Sequence, residues 1–144
     1  MINIILKIFL ITNILFCKDY LIITSDQLSE AAHKISDIYS DETKSYFLET
    51  EVILTSEIDS PINEFISNKI EDDQDIKYLL LIGDENNLEY LYKTLTCNGD
   101  EEHYPTDDLY SSISVDEYPR LATGRIPASN LTDALNFVNK LGGT

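Results

Sequence analysis

Cys97 and His103 lie six residues apart and are the residue types from which a nucleophilic dyad could be built. A reactive thiolate needs an imidazole positioned beside it in electropositive surroundings. The segment that holds this pair is rich in Asp and Glu, and negative neighbours disfavour a thiolate. The second histidine, His33, falls within a predicted helix and is expected at its surface. The sequence therefore predicts no catalytic and no cofactor-binding residue in this chain.

The same acidic segment offers ligands for a hard cation. Asp107 and Asp108 follow one another there, and Asp84 follows an apolar run earlier in the chain. Calcium takes six to eight oxygen ligands in flexible arrangements, so we name these three residues as candidate calcium ligands. The spacing is not that of an EF-hand loop, and a solvated acidic loop is the alternative. The cysteines and histidines do not have zinc-site spacing.

Arg125 stands in a segment, DEYPRLATGRIPA, that is crowded with proline, glycine and arginine. An arginine at the end of a strand can hold loops together through bidentate hydrogen bonds to carboxylates. We predict that Arg125 is such a structural tether, with Asp84, Asp107 or Asp108 as its partner. Gly83 and Gly124 are predicted to let the backbone turn where two strands stop.

Strand and helix patterns alternate along the chain. Apolar runs predict strands at residues 19–24, 46–55, 78–82 and 121–123. Helical spacing of apolar residues predicts helices from Leu28 to Tyr39, from Ser60-Pro61 to Ile70, and from Leu131 to Leu141, the last capped by Ser129 or Asn130. This order predicts an α/β fold, a Rossmann-like three-layer sandwich with a mostly parallel sheet. Between residues 85 and 114 we expect a strand or short helix at 88–95 and a polar surface loop at 97–108.

The net charge and the N-terminal residues limit which functions and which location the protein can have. The net charge is −16, which argues against nucleic-acid binding and permits a basic partner or divalent cations. Residues 1–17 carry a single charged side chain, Lys7, and their apolar run is too short for a comfortable membrane span. We predict a signal peptide at residues 1–18 followed by one exported domain at 19–144, with contact to membrane only through the leader. A retained anchor and a buried strand are the alternatives.

Four blocks of sequence carry a family resemblance. They are YLIITSD at 20–26, YLLLIGD at 78–84, YPTDDLY at 104–110 and YPRLATGRIPA at 118–128, and an amphipathic helix follows them. In this order they resemble the N-terminal part of gingipain-like cysteine peptidases, over about residues 19–141. The resemblance implies secretion, structural calcium, a protein or peptide substrate, and a caspase-like fold whose second subdomain holds a His–Cys dyad. The family's His-Gly block does not occur in this chain, so the C-terminal catalytic subdomain is expected to be a missing partner.

Two functions remain open on this basis. The first is the N-terminal subdomain of a secreted gingipain-like cysteine endopeptidase, inactive alone. The second is a stand-alone exported α/β binding module, with or without calcium dependence. The first predicts an exposed apolar surface beyond the sheet edge or the last helix, and the second predicts that this surface is polar and closed.

Overall fold

A parallel four-stranded sheet forms the centre of the molecule. The computed structural model describes residues 18–112 and 118–142. Its sheet has the order β2-β1-β3-β6, and every neighbouring pair is parallel. The strands are β1 (Tyr20–Thr24), β2 (Thr50–Leu54), β3 (Tyr78–Ile82) and β6 (Ala122–Ile126), and a separate hairpin contains β4 (Leu91–Cys97) and β5 (Asp100–Thr106). The helices are α1 (Ser29–Tyr39), α2 (Ile62–Asp72) and α3 (Leu131–Gly142).

Helices cover both faces of the sheet, which explains why its central strands are continuous apolar runs. On one face Leu21 and Leu81 are buried against Ile66 of α2. On the other face Ile22 and Ile82 are buried in a cluster with α1 and α3. The predicted α/β class and three-layer architecture are confirmed, because successive residues of each strand point to opposite faces and each face meets a helical layer.

The helix starts follow local chemistry with small shifts from the predicted positions. Asn130 caps α3, since its side-chain oxygen accepts the Asp133 amide at 3.0 Å. Helix α2 begins at Ile62, one residue later than predicted, and Pro61 occupies the flanking position. A 3-10 turn at Asp26–Leu28 precedes α1.

The β4–β5 hairpin corrects the expectation of a polar loop at 97–108. Residues 100–106 form a strand, antiparallel to β4, and β4 occupies part of the segment where a strand or short helix was expected. The hairpin turns at Asn98 and Gly99, whose φ angles are 53° and 93°. Asn-Gly between two pairing segments is a strong hairpin signal, and the polar composition of β5 obscured it.

The predicted leader falls outside the described residues, apart from Lys18. Helices α1, α2 and α3, which are the helices of the described part, are each too short to cross a lipid bilayer.

Candidate functional site

The carboxyl ends of β3 and β6 meet at one rim of the sheet. Gly83, directly after β3, donates its N–H to the Ile126 carbonyl at 2.9 Å, and Asp84 donates its N–H to the Ala128 carbonyl at 3.0 Å. Gly83 has a φ of 140°, which a side chain would strain, so glycine is needed for this exit from the strand. Ligands of open α/β sheets sit at this edge, and we therefore treat the rim as the candidate site.

Gly124 does not form the second turn that the sequence predicted. It lies inside β6, opposite Leu80, and its φ angle is not positive. The strand runs on to Ile126, so Arg125 belongs to the strand itself. The prediction of a turn at Gly124 is wrong because the strand does not stop at Thr123 but continues to the buried Ile126.

Arg125 is the centre of the rim. Its side chain is 5% exposed, and Nε and Nη2 donate to the Asp107 carboxylate at 2.7–3.0 Å. Nη1 donates to the carbonyls of Gly83 and Leu88 at 2.9 and 2.7 Å. Nη2 also reaches the Glu89 carbonyl at 3.2 Å. One guanidinium therefore joins β6 to the exit of β3 and to the segment that follows β5.

An aromatic ring completes the surroundings of this guanidinium. The Arg125 Cζ lies 4.3 Å from the centre of the Tyr90 ring, within the range of a cation–π contact. The guanidinium group of Arg125 donates hydrogen bonds in its own plane and stacks its flat face on the Tyr90 ring, and the ammonium group of a lysine could do neither.

The three predicted acidic residues have different partners. Asp107 is the one of the three whose carboxylate meets Arg125 among the described contacts. Asp84 accepts hydrogen bonds from the side chain of Asn87 and the backbone and side chain of Asn86, and these bonds hold the pKa of Asp84 below its ordinary value. The Asp108 carboxylate lies 4.0 Å from the Lys93 ammonium group.

These placements do not assemble a calcium site from the candidate ligands. Within residues 18–112 and 118–142, no three Asp, Glu, His or Cys side chains are grouped so as to hold a metal ion. The charge of the Asp107 carboxylate is already neutralised by Arg125, and the Asp84 carboxylate already accepts hydrogen bonds within the turn that it begins. The residues at the rim therefore do not fit a calcium ion that they would hold together.

Tyr110 is a rim residue that the sequence analysis did not single out. It is 1% exposed, and its hydroxyl donates to the Glu89 carbonyl at 2.5 Å. The neighbouring Ser111 hydroxyl bonds to that of Thr123 in β6 at 2.9 Å. The segment after β5 is therefore fastened to the sheet. The final Tyr of YPTDDLY is the available signal, and it lies just after the polar loop predicted at 97–108.

Burial raises the pKa of Tyr110 to about 12 from an ordinary value of 10.0. Because the folded value is the higher one, the tyrosine contributes stability that is complete below about pH 10 and is lost as the pH rises toward about 12. Tyr20 behaves in the same way, since burial also raises its pKa to about 12.

We expect Tyr110→Phe to cost about 1 kcal/mol at neutral pH through the lost hydrogen bond, and to make the alkaline loss of stability shallower. Urea unfolding followed between about pH 8 and pH 11.5, with tyrosinate absorbance as a second readout, measures both effects. An unchanged alkaline slope in the variant would contradict the assignment.

The histidines and Cys97 lie away from the rim network. His33 is exposed on α1, with Nδ1 2.8 Å from the Ser29 carbonyl oxygen. His103 is exposed on the hairpin, with Nδ1 2.8 Å from the Thr94 hydroxyl. The hairpin register pairs Cys97 with Asp100 and Thr94 with His103. Three strand positions therefore separate the backbones of Cys97 and His103, roughly 10 Å.

Comparison with known proteins agrees with this fold and gives the family. The model of peptidase family C25 matches residues 17–142. The chain belongs to peptidase family C25. None of the curated proteins matches it.

Two solved structures resemble this C25 chain. The Arg-specific cysteine proteinase gingipain R is 20% identical with a TM-score of 0.62, over 87% of this chain and 28% of that one. Dimeric latent PorU from Porphyromonas gingivalis is 16% identical with a TM-score of 0.61, over 85% of this chain and 15% of that one. The chain therefore shares their fold and spans less than a third of either protein.

Proposed function

We propose that this C25 chain is the N-terminal subdomain of a secreted gingipain-like cysteine endopeptidase and is inactive alone. The catalytic histidine and cysteine of the whole enzyme would come from a C-terminal subdomain. The observation that carries the proposal is the family match over residues 17–142, combined with the short share of gingipain R that the chain spans.

In this proposal the rim is a wall of the active-site cleft. Arg125 fixes the exit of β3 and the segment around Asp107 relative to β6 through buried, charge-assisted hydrogen bonds. A rigid wall is what a cleft needs, since catalytic and binding geometry tolerates little displacement. The substrate would be a protein or peptide extended across the cleft.

Exposed apolar side chains support docking of a further subdomain. Phe137 and Leu141 on α3 are 47% and 41% exposed, and Tyr78 at the start of β3 is 41% exposed. A closed, stand-alone binding module would be expected to cover such side chains with polar groups. The exposed residues therefore favour the subdomain over the module.

Export remains part of the proposal through the leader. Residues 1–18 have the weakly basic start and short apolar centre of a signal peptide. A secreted or cell-envelope location follows, where calcium is available to the whole enzyme.

The transcript that encodes the chain tests the subdomain proposal. We expect the reading frame to continue past codon 144 and to encode a His-Gly block and then a Cys block. A stop codon followed by unrelated sequence in the messenger RNA would overturn the proposal.

A further inference from the structure

The β4–β5 hairpin ends in the one Asn-Gly pair of the sequence, Asn98-Gly99. Both residues are exposed, and they form the turn that follows the Cys97–Asp100 pair of the ladder. A Cβ added at Gly99 would meet no atom within 4 Å, so the space around this residue is open. Among the described backbone hydrogen bonds, none uses the Gly99 N–H. The Asn98 side chain is therefore followed by an accessible backbone nitrogen.

Asparagine followed by glycine has a characteristic reaction. The backbone nitrogen of the glycine attacks the side-chain carbonyl carbon of the asparagine, because this closes an unstrained five-membered ring. Glycine has no side chain to obstruct the attack, and its backbone rotates more freely than that of other residues. The pair at the hairpin tip therefore has the chemistry for a covalent change at Asn98.

The turn must open before the ring can close. Asn98 and Gly99 have φ angles of 53° and 93°, and closure requires rotation about the bond between Cα and the carbonyl carbon of Asn98. The hairpin is suited to such opening, since β4 and β5 pair with each other and with no other described strand, and residues 100–105 are exposed. An isolated two-stranded hairpin is at best marginally stable in water. Opening at the tip therefore costs much less free energy than unfolding of the parallel sheet.

The base of the hairpin is held more firmly than its tip. Tyr90, just before β4, lies against the Arg125 guanidinium, and Asp107, just after β5, accepts hydrogen bonds from it. Each strand has seven residues, so the turn lies roughly 20 Å from these contacts. The tip can therefore open while the network around Arg125 stays closed.

We propose that Asn98 is a site of spontaneous deamidation, a covalent modification of the hairpin tip that leaves the rim intact. In the first step the Gly99 nitrogen bonds to Cγ of Asn98 while the bond from Cγ to Nδ2 breaks. The amide proton of Gly99 passes to the leaving amino group, which departs as ammonia, and a succinimide ring remains. This inference does not depend on the proposed function.

Water completes the reaction in a second step. It adds to one of the two ring carbonyls, and the bond from that carbonyl to the Gly99 nitrogen breaks. Opening at Cγ yields aspartate at position 98, and opening at the backbone carbonyl yields isoaspartate. Nothing is oxidised or reduced, and water is the one co-reactant.

The two products change the charge and the pairing of the hairpin. Each adds one negative charge beside the acidic residues at 100–102, and like charges on paired strands are destabilising. Isoaspartate also carries the main chain through its side chain, which inserts one methylene group into the turn. Because the turn sets the strand register, the Cys97–Asp100 pair is lost in that product. The strands then separate from the tip, whereas the contact between Arg125 and Asp107 remains.

Two exposed asparagines on helices serve as internal controls. Asn68 on α2 and Asn139 on α3 are each followed by a lysine, whose side chain obstructs the attack. The backbone nitrogens of these lysines also lie within helices, where the N–H groups are hydrogen-bonded. We expect both asparagines to deamidate at least about tenfold more slowly than Asn98, or 1.4 kcal/mol in the barrier.

Ageing the purified chain in mildly alkaline buffer made with heavy-oxygen water tests the assignment. Peptide mapping by mass spectrometry measures conversion at each asparagine, and labelling by an isoaspartyl methyltransferase counts the isoaspartate. We expect the heavy oxygen to enter residue 98, and faster as the pH rises, because deprotonation makes the Gly99 nitrogen a better nucleophile. A blocked peptide of residues 95–101 is the reference and should react faster than the folded chain, since it has no hairpin to open.

Two variants separate the chemistry from the opening of the turn. Asn98→Gln keeps an amide but would need a six-membered ring, and Gly99→Ala places a side chain beside the attacking nitrogen. Gly99→Ala also weakens the turn, so a rate set by opening alone would rise. We expect instead that both variants react at least about tenfold more slowly than wild type, with circular dichroism unchanged.

Three outcomes would overturn the assignment. They are an unmodified Asn98 when the reference peptide is fully converted, reaction of Asn68 or Asn139 at the same rate, and a Gly99→Ala variant that reacts no more slowly than wild type. In the converted protein the Nε–H signal of Arg125 should keep its position in the nuclear magnetic resonance spectrum. A shift of that signal would show that the modification reaches the rim.

Discussion

Arg125→Ala is expected to lower the free energy of unfolding by about 3–5 kcal/mol. The change leaves the partly buried Asp107 carboxylate without its cation and leaves the carbonyls of Gly83 and Leu88 without their donor. It also removes the cation–π contact with Tyr90. Urea unfolding of the purified variant measures the loss, with the m-value as a check that the unfolding transition is unchanged.

Arg125→Lys tests the geometry of the Arg125 side chain against its charge, and Lys77→Ala provides an exposed ion pair for comparison. Arg125→Lys keeps the charge but loses the planar fork, so it should fall between wild type and Arg125→Ala. Lys77→Ala breaks the ion pair with Asp19 at 3.0 Å, in which the lysine side chain is 61% exposed, and should destabilise the protein far less than Arg125→Ala. Equal, small losses for Arg125→Ala and Lys77→Ala would contradict a buried clamp.

Gly83→Ala is expected to destabilise the protein by about 2–4 kcal/mol. The φ of 140° is unfavourable for any residue with a side chain, and a Cβ there would lie 2.8 Å from the Cβ of Asn87. Relieving that contact would shift the turn that carries Asp84 and would disturb the hydrogen bond from Asp84 to Ala128. Thermal and urea unfolding measure the cost.

The chain offers controls for both components of this effect. Gly99→Ala combines a φ of 93° with open space, so it isolates the backbone term at about 1 kcal/mol. Gly124→Ala has neither problem and should lie within about 0.5 kcal/mol of wild type. A Gly83→Ala variant as stable as Gly124→Ala would mean that the strand exit does not need glycine.

The strands and helices could be predicted because burial imposes their patterns. The run at 78–82 is apolar because β3 is covered on both faces beyond its exposed first residue, Tyr78, and its predicted bounds coincide with the observed strand. The spacing of Leu131, Ala134 and Val138 likewise places one face of α3 against the sheet. The structure of a segment that packs against the sheet or against a helical layer can therefore be predicted from its local pattern of apolar residues.

The hairpin and the tether partner could not be predicted in the same way. Strand β5 is exposed almost throughout, so no burial pattern distinguishes its residues from a loop, and only the Asn98-Gly99 turn marks it. The choice of Asp107 over Asp84 for Arg125 depends on how residues 106–110 fold back onto β6, a contact between positions 18 apart in sequence. Local sequence patterns contain no information on which residues so far apart in sequence will be in contact.

The most direct measurement for the central claim is the peptidase activity of this chain alone. The assay uses purified protein, a thiol reductant, and blocked arginyl and lysyl chromogenic amides, with and without calcium, beside an active cysteine peptidase as positive control. We expect the same rate as that of the protein-free blank under every condition, because the proposal assigns the catalytic histidine and cysteine to a C-terminal subdomain. Hydrolysis above the blank that iodoacetamide abolishes would contradict the account.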